Sequence, residues 1–234
     1  MRKIGLSLVL VGILGATSAV AEESGVFVGV QAGYGGANGE WTAVDAFTGA
    51  GQDYSFKSNN MSSFRYGLLA GYKHFFTPAF GVRAYANFDL GTKYSKDATE
   101  TVNGNAADVS LKVNTYNINA NVDALYNFIT NDALDFGIFG GLSLGYTHHK
   151  ADFELVAGGD STKFDGKLSG FDLGINFGFR ANIATNHGVE LYSRFGVLKH
   201  KGDIDELVEE DSPKPLPLKL QQPYQVGLRY TFSF

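Results

Sequence analysis

From Val26 onward, large apolar side chains alternate one for one with small or polar ones, in segment after segment. That is the period of a strand and not of a helix. In the first segment Val26, Val28, Val30, Ala32 and Tyr34 face one way, with Gly29, Gln31 and Gly33 opposed. The same rhythm continues from Phe64 to Lys73, Val82 to Gly91, Tyr116 to Phe128, Asp135 to Tyr146, Phe171 to Arg180, Val189 to Val197 and Gln225 to Phe234, making eight segments. The fourth is the cleanest: Tyr116, Ile118, Ala120, Val122, Ala124, Tyr126 and Phe128 stand against Asn117, Asn119, Asn121, Asp123 and Asn127. Phe27, Leu69, Phe139 and Leu198 fall on the polar face, which a packed interior would accept. The eighth segment, QVGLRYTFSF, keeps its alternation to the final residue, as expected of a strand paired along both edges.

The connections carry as much information as the strands. Segments two and three, four and five, and six and seven are joined by short pieces around FTPA (Phe76 to Ala79), ITND (Ile129 to Asp132) and ATNHG (Ala184 to Gly188). The other four connections are long: roughly Gly35 to Met61, Lys96 to Ser110, Lys150 to Lys167 and Lys201 to Gln221. Strict alternation of short and long puts every long connection on one rim, and the short turns with both chain ends on the other. The expected fold is therefore all-β, an eight-stranded antiparallel transmembrane β-barrel over residues 22–234, with four long extracellular loops and periplasmic termini.

Period two alone does not say which face is outside, because a secreted soluble barrel alternates in the same way with its apolar face inward. Three features favour apolar side chains on lipid. Tyr34, Phe64, Tyr116, Tyr146, Phe171 and Tyr224 gather toward the long connections, and Tyr72, Phe80, Tyr126, Phe136 and Phe232 toward the short turns, as two membrane interfaces would select. Glycine is heavy on the polar face, which suits a crowded lumen better than a solvated exterior. That face also carries Arg65, Lys73, Arg83, Arg180, Arg194 and Arg229 against Asp89, Asp123, Asp135, Asp172 and Glu190. A cation placed on lipid costs about 2–4 kcal/mol at the bilayer centre, whereas inside the cylinder opposite charges can satisfy one another. Eight strands enclose little more than side chains, so the expected lumen is plugged or very narrow.

At the other end, MRKIGLSLVLVGILGATSAVA joins Arg2 and Lys3 to the apolar run Ile4–Leu14 and to Ala19 and Ala21 in A-x-A spacing. This is the pattern of a secretory signal peptide over residues 1–21, cleaved after Ala21. Beyond it no stretch of about 18 uncharged apolar residues occurs, which excludes a helical membrane protein. The chain has 30 glycines, 19 phenylalanines, 12 tyrosines and only five prolines, a composition of strands punctuated by turns. It has no cysteine, hence neither a disulfide nor a lipid-accepting thiol, and its net charge of −5 comes without a basic block for nucleic acid.

Candidate chemistry is sparse. His148, His149 and His200 lie near the long-connection rim, and Ser143 and Ser169 on strands leading to it, but no G-x-S-x-G elbow or metal-ligand spacing accompanies them. His74 and His187 sit beside short turns. The last long connection, DIDELVEEDSPKPLPL, carries Asp203, Asp205, Glu206, Glu209, Glu210 and Asp211 before Pro213, Pro215 and Pro217. It reads as a solvated, stiff segment, or as one that divalent cations bridge to lipopolysaccharide phosphates. Trp41 and Tyr54 in the first long connection are either partner contacts or anchors of that segment on itself. No catalytic residue, cofactor or metal is assigned.

Gln225, Gly227, Tyr230 and Phe232, followed by Phe234, resemble the C-terminal sorting signature of Gram-negative outer-membrane proteins. The resemblance implies recognition by the barrel-assembly machinery. More narrowly, YGLLAGYKHFFTPAFGVRAYANFDLG, NVDALYNF, GIFGGLSLGYT and FGFRANIATNHGVEL resemble the barrel domain of the Helicobacter-type outer-membrane protein family. Some members are host-cell adhesins, usually with a large extracellular passenger ahead of the barrel, often with cysteines; here the first strand begins almost at the mature N-terminus. The expected function is structural anchoring and surface display in the cell outer membrane, among outer-membrane lipid and lipopolysaccharide, with possible loop-mediated adhesion to a host or surface ligand. The alternative is a small-solute or ion channel, and a third class is a membrane-embedded enzyme.

Overall fold

The apolar–polar alternation becomes a closed cylinder in the computed structural model, which describes residues 22–43, 54–102, 105–131, 133–157, 160–204 and 216–234. Its strands are β1 (Gly25–Ala43), β2 (Tyr54–Phe75), β3 (Phe80–Val102), β4 (Asn105–Asn131), β5 (Leu134–Ala157), β6 (Asp160–Ile183), β7 (His187–Gly196), β8 (Lys199–Ile204), β9 (Leu216–Gln221) and β10 (Gln225–Ser233). β1 to β7 pair antiparallel in chain order, β10 pairs with β7, and β10 closes on β1 from Phe27↔Ser233 to Gly35↔Gln225. Eight strands thus form a ring without an edge. Closure is what hydrocarbon requires, since an unpaired backbone group has no water there to bond.

The outer surface is a band of exposed apolar side chains, among them Val28, Leu68, Phe88, Ile118, Leu144, Ile175, Leu191 and Leu228. Tyr34, Phe64, Tyr116, Tyr146, Phe171 and Tyr224 fringe it toward the long hairpins, Tyr34 edge-on to Phe64 at 5.8 Å and Tyr146 to Phe171 at 6.0 Å. Tyr72, Phe80 and Tyr126 fringe the opposite end, with Phe136 and Phe232 half-buried beside them. Phe27, Leu69 and Phe139 point into the cylinder, while Leu198, expected inside, is exposed between β7 and β8.

The long connections differ from expectation. Most of their length is strand, because the ring strands run on past the aromatic fringe as hairpins. β3 and β4 stay paired to Val102↔Asn105, and β5 and β6 to Ala157↔Asp160, with β4 also paired to β5. These strands rise as one flap. A second flap has the order β2, β1, β9, β8: β9 takes over the edge of β1 from Asn38↔Gln221 to Trp41↔Leu218, where β10 has ended, and β8 pairs outside β9. Pairing between β2 and β3 stops at Arg65↔Gly91, and between β6 and β7 at Gly174↔Gly196, so the wall divides along two seams. Ala37, Met61 and Leu220 on one flap and Val113 and Leu168 on the other are buried.

The short turns are locally determined. Asn131 Oδ1 accepts from the Ala133 and Leu134 amides at 3.1 and 3.0 Å, an Asx turn between β4 and β5. Between β6 and β7, Ala184 and Thr185 both adopt positive φ, 51° and 67°. Asn182 holds that turn by donating to Thr185 O at 2.9 Å, and Asn186 ties it to β10 by donating to Ser233 O at 2.7 Å.

Candidate functional site: the lumen and its rims

Inward-facing positions of the ring fill the lumen in layers. At the short-turn end the chain ahead of β1 tucks under the cylinder, with the Ser24 hydroxyl accepting from the Phe75 amide at 2.9 Å. This carries Glu22 inside, where its carboxylate takes Lys73 Nζ at 2.7 Å together with the Arg180 guanidinium. Arg180 also donates to Asn127 Oδ1 at 3.0 Å. Burial alone would raise the Glu22 carboxyl, but the two cations outweigh it and hold the group below its ordinary value. Asp135 is buried in the same layer.

The middle layer is ionic and aromatic together. Arg83 Nε donates to Asp123 at 2.9 Å, and its two terminal nitrogens grip both oxygens of Glu190. Glu190 Oε2 is shared with Arg229 Nη1 at 3.1 Å, so one carboxylate bridges two guanidinium groups. Arg229 Nε donates to Gln31 at 3.0 Å. The rings of Phe139 and Tyr85 lie 4.4 and 5.0 Å from the Arg83 guanidinium, and Tyr192 lies 4.7 Å from that of Arg229. Guanidinium planes stack where lysine could not, which suits arginine to a dry, crowded layer.

Above it Asp89 accepts from Gln31 and Asn87, and a void of about 10 Å³, room for about one water, separates this shell from Tyr192 and Arg194. Arg194 donates to Asp172 and to Ser143 Oγ, each at 2.9 Å, and Arg65 donates to Asn117 Oδ1. All eleven charged residues singled out on the polar face are buried, and Glu22 adds a sixth carboxylate to match six cations. Arg65, Asp89 and Asp135 differ from the rest: none of the three makes a direct ion pair among the described residues, and Arg65 and Asp89 are held by amide side chains.

At the mouth His149 on β5 and His200 on β8 meet at 3.2 Å, joining the two flaps. His200 Nε2 lies 3.0 Å from Phe171 O, which can only accept, so in the neutral pair His200 Nδ1 must accept from His149 Nε2. His149 Nδ1 then accepts from the Thr115 hydroxyl at 2.9 Å. His148 is on the other face, 2.6 Å from Ser169 Oγ, and among the described residues no carboxylate contacts its ring. The three histidines therefore do not converge, and Ser143 is engaged by Arg194 instead of a histidine. Residues 1–21, the acidic stretch 205–215 and the side chains of Trp41 and Tyr54 lie outside the described residues.

On β10, Gln225 donates to the Tyr192 hydroxyl at 2.7 Å, Gly227 faces Gly33, and the Tyr230 hydroxyl shares a 2.7 Å hydrogen bond with His187. Phe232 and Phe234 meet edge-on at 5.2 Å, and the Phe234 amide donates to Val26 O. A model described as Helicobacter outer membrane protein matches residues 67–234, from β2 to the last residue. The chain belongs to this family. It is an outer-membrane β-barrel protein. No curated protein matches it. Among solved structures it is similar to OprG of Pseudomonas aeruginosa, at 14% identity and TM-score 0.45, covering 92% of this chain and 99% of that one. Neisserial surface protein A is similar at 15% identity and TM-score 0.37, covering 93% and 100%. Ail of Yersinia pestis, the attachment invasion locus protein, gives 14% identity and TM-score 0.35, covering 90% and 99%.

Sequence reasoning missed three elements of the lumen. Glu22 precedes the first strand, where no periodicity marks a side chain as inward. Tyr85 and Tyr192 sit on the polar face but were masked by their apolar character. The meeting of His149 with His200, 51 residues apart on strands that do not pair, leaves no trace in local pattern.

Proposed function

We propose that this barrel is a closed outer-membrane anchor that displays its two flaps outside the cell, with both termini in the periplasm, and that it does not conduct solutes. The single observation that supports the reading best is the layer in which Glu190 bridges Arg83 and Arg229 between Phe139, Tyr85 and Tyr192. A solute would have to break a buried, fully engaged ion cluster, and removing one partner of such a cluster costs about 3–5 kcal/mol. The lumen charges act in this reading as a seal. The terminal residues Gln225, Gly227, Tyr230, Phe232 and Phe234 act as the signal read by the barrel-assembly machinery, and the flaps carry any contact with a host or surface ligand.

Planar-bilayer recording of the purified, refolded protein tests the seal. The expected trace stays at the bare-membrane baseline; reproducible ion steps would favour a small-solute channel. Adhesion is tested separately, by comparing whole cells bearing the full chain with cells whose flaps are trimmed to the aromatic fringe.

A further inference from the structure

Arginine and lysine are sorted to opposite sides of the wall. Among the described residues every arginine is buried in the lumen, and only Lys73 joins them. The other lysines with described side chains, Lys112, Lys150, Lys167, Lys199, Lys201 and Lys219, are exposed or half-buried on the outward face. All belong to the long-hairpin rim. Among the described residues no cation faces outward at the short-turn rim.

Their height is set by the strands. On β7 and β8 the outward file reads Phe195, Val197, Lys199, Lys201, and on β5 it reads Leu144, Tyr146, His148, Lys150. The lysines therefore begin two to four residues beyond the last apolar side chain, about 5–10 Å above the hydrocarbon edge for a tilted strand. Ammonium groups on flexible stems reach down to the headgroup level from there.

The register makes the cluster costly without a counter-ion. Lys150 lies directly opposite Lys167, and Lys201 opposite Lys219, the arrangement in which like charges destabilise a sheet. Each pair has one described carboxylate within reach: Asp152 is 4.0 Å from Lys150, and Glu40 is 3.8 Å from Lys219. Between Lys199 and Lys219 opens a cavity of about 220 Å³, also lined by Asn38, Glu40 and Gln221.

The geometry points to a phosphate-binding collar: the outward lysines of the long-hairpin rim hold the phosphate groups of the outer-leaflet glycolipid. The proposal rests on the reading that this rim faces outside. A bisphosphorylated glycolipid offers two phosphates that no ammonium of its own neutralises, whereas a zwitterionic phospholipid carries its own counter-charge. Lysine suits a mobile lipid phosphate as a rotatable point charge, while the fixed carboxylates of the lumen take the planar fork of arginine.

The test uses the barrel refolded in zwitterionic micelles and titrated with bisphosphorylated lipid A, with dephosphorylated lipid A, with inorganic phosphate and with heparin. Bisphosphorylated lipid A should bind most tightly, with an affinity that falls as salt rises. Lys150→Gln with Lys167→Gln, or Lys201→Gln with Lys219→Gln, should each weaken it at least about tenfold, taking about 1 kcal/mol for each lysine near the charged surface. These side chains lie outside the lumen and their removal relieves like-charge repulsion, so thermal unfolding without lipid at or above the midpoint of the natural chain shows that the variants fold. Equal binding of dephosphorylated lipid A, or unchanged affinity of both variants, would overturn the proposal. Tighter binding of heparin would also overturn it, assigning the collar to a soluble polyanion. The orientation is checked independently with Ser161→Cys, near the end of the β5–β6 hairpin, in this cysteine-free chain: a membrane-impermeant maleimide should label it on intact cells, and failure there would sink the orientation while leaving the micelle result to stand.

Discussion

Glu190 shows what a single residue does in this lumen. It is buried and engages Arg83 through both oxygens and Arg229 through one, so its removal leaves two guanidinium groups without their shared counter-charge. Glu190→Gln keeps the volume and one acceptor but loses the charge, and should destabilise the barrel by about 3–5 kcal/mol in urea unfolding from micelles or vesicles. Glu23→Gln, at an exposed position, should stay within about 0.5 kcal/mol. Glu22 adds a pH dependence of known sign. Because its folded carboxyl sits below the ordinary value of 4.5, the Lys73–Glu22–Arg180 contribution is complete above that value and is lost as pH falls through the folded pKa. Unfolding followed from neutral to acid pH should therefore show a shallower acid limb in Glu22→Gln than in the natural chain; identical limbs would place the titration elsewhere.

Strands and turns obey different constraints, and this explains which of them could be read from sequence. Between lipid and lumen a strand must alternate, so residues 116–128 declare themselves at once. Past the fringe both faces can be polar, and the upper reaches of β3 and β4 carry no such signature, as with Lys96, Asp97, Thr99 and Glu100 on β3; they read as loop though they are paired strand. The polar face of each strand was legible for the same reason that its apolar face was. Which cation meets which anion was not, because Arg83 and Glu190 are 107 residues apart and meet across the lumen. The β6–β7 turn was visible in ATNHG, yet nothing there foretold that a β-branched residue would take positive φ. Thr185 at φ 67° pays the strain of a conformation that glycine adopts freely. Thr185→Gly should therefore stabilise the barrel by about 1 kcal/mol, read as a higher urea midpoint with an unchanged slope, and a lower midpoint would show that Thr185 makes contacts worth more than its strain.

On the proposed reading, the whole molecule is closed twice along its axis. Toward the long hairpins the flaps bury Ala37, Met61, Leu220, Val113 and Leu168 and are joined by His149 and His200. Below the aromatic fringe Arg83, Glu190 and Arg229 with Phe139, Tyr85 and Tyr192 fill the cross-section. Barriers in series add like resistances in series, so whichever of the two is left closed governs the current. Met61→Gly with Leu220→Gly should leave planar-bilayer recordings at baseline, because the ionic layer still blocks the path. Glu190→Gly with Arg229→Gly and Tyr85→Gly removes charge and ring together, and should also stay near baseline while the flaps remain packed. Only the variant carrying both sets should pass a steady ion current, provided heat-modifiable migration shows that it still folds. If the flap variant alone conducts, the ionic layer is not a seal and the lumen is a pore with a capped mouth; if the layer variant alone conducts, the flaps part readily and the histidine bridge does not hold them.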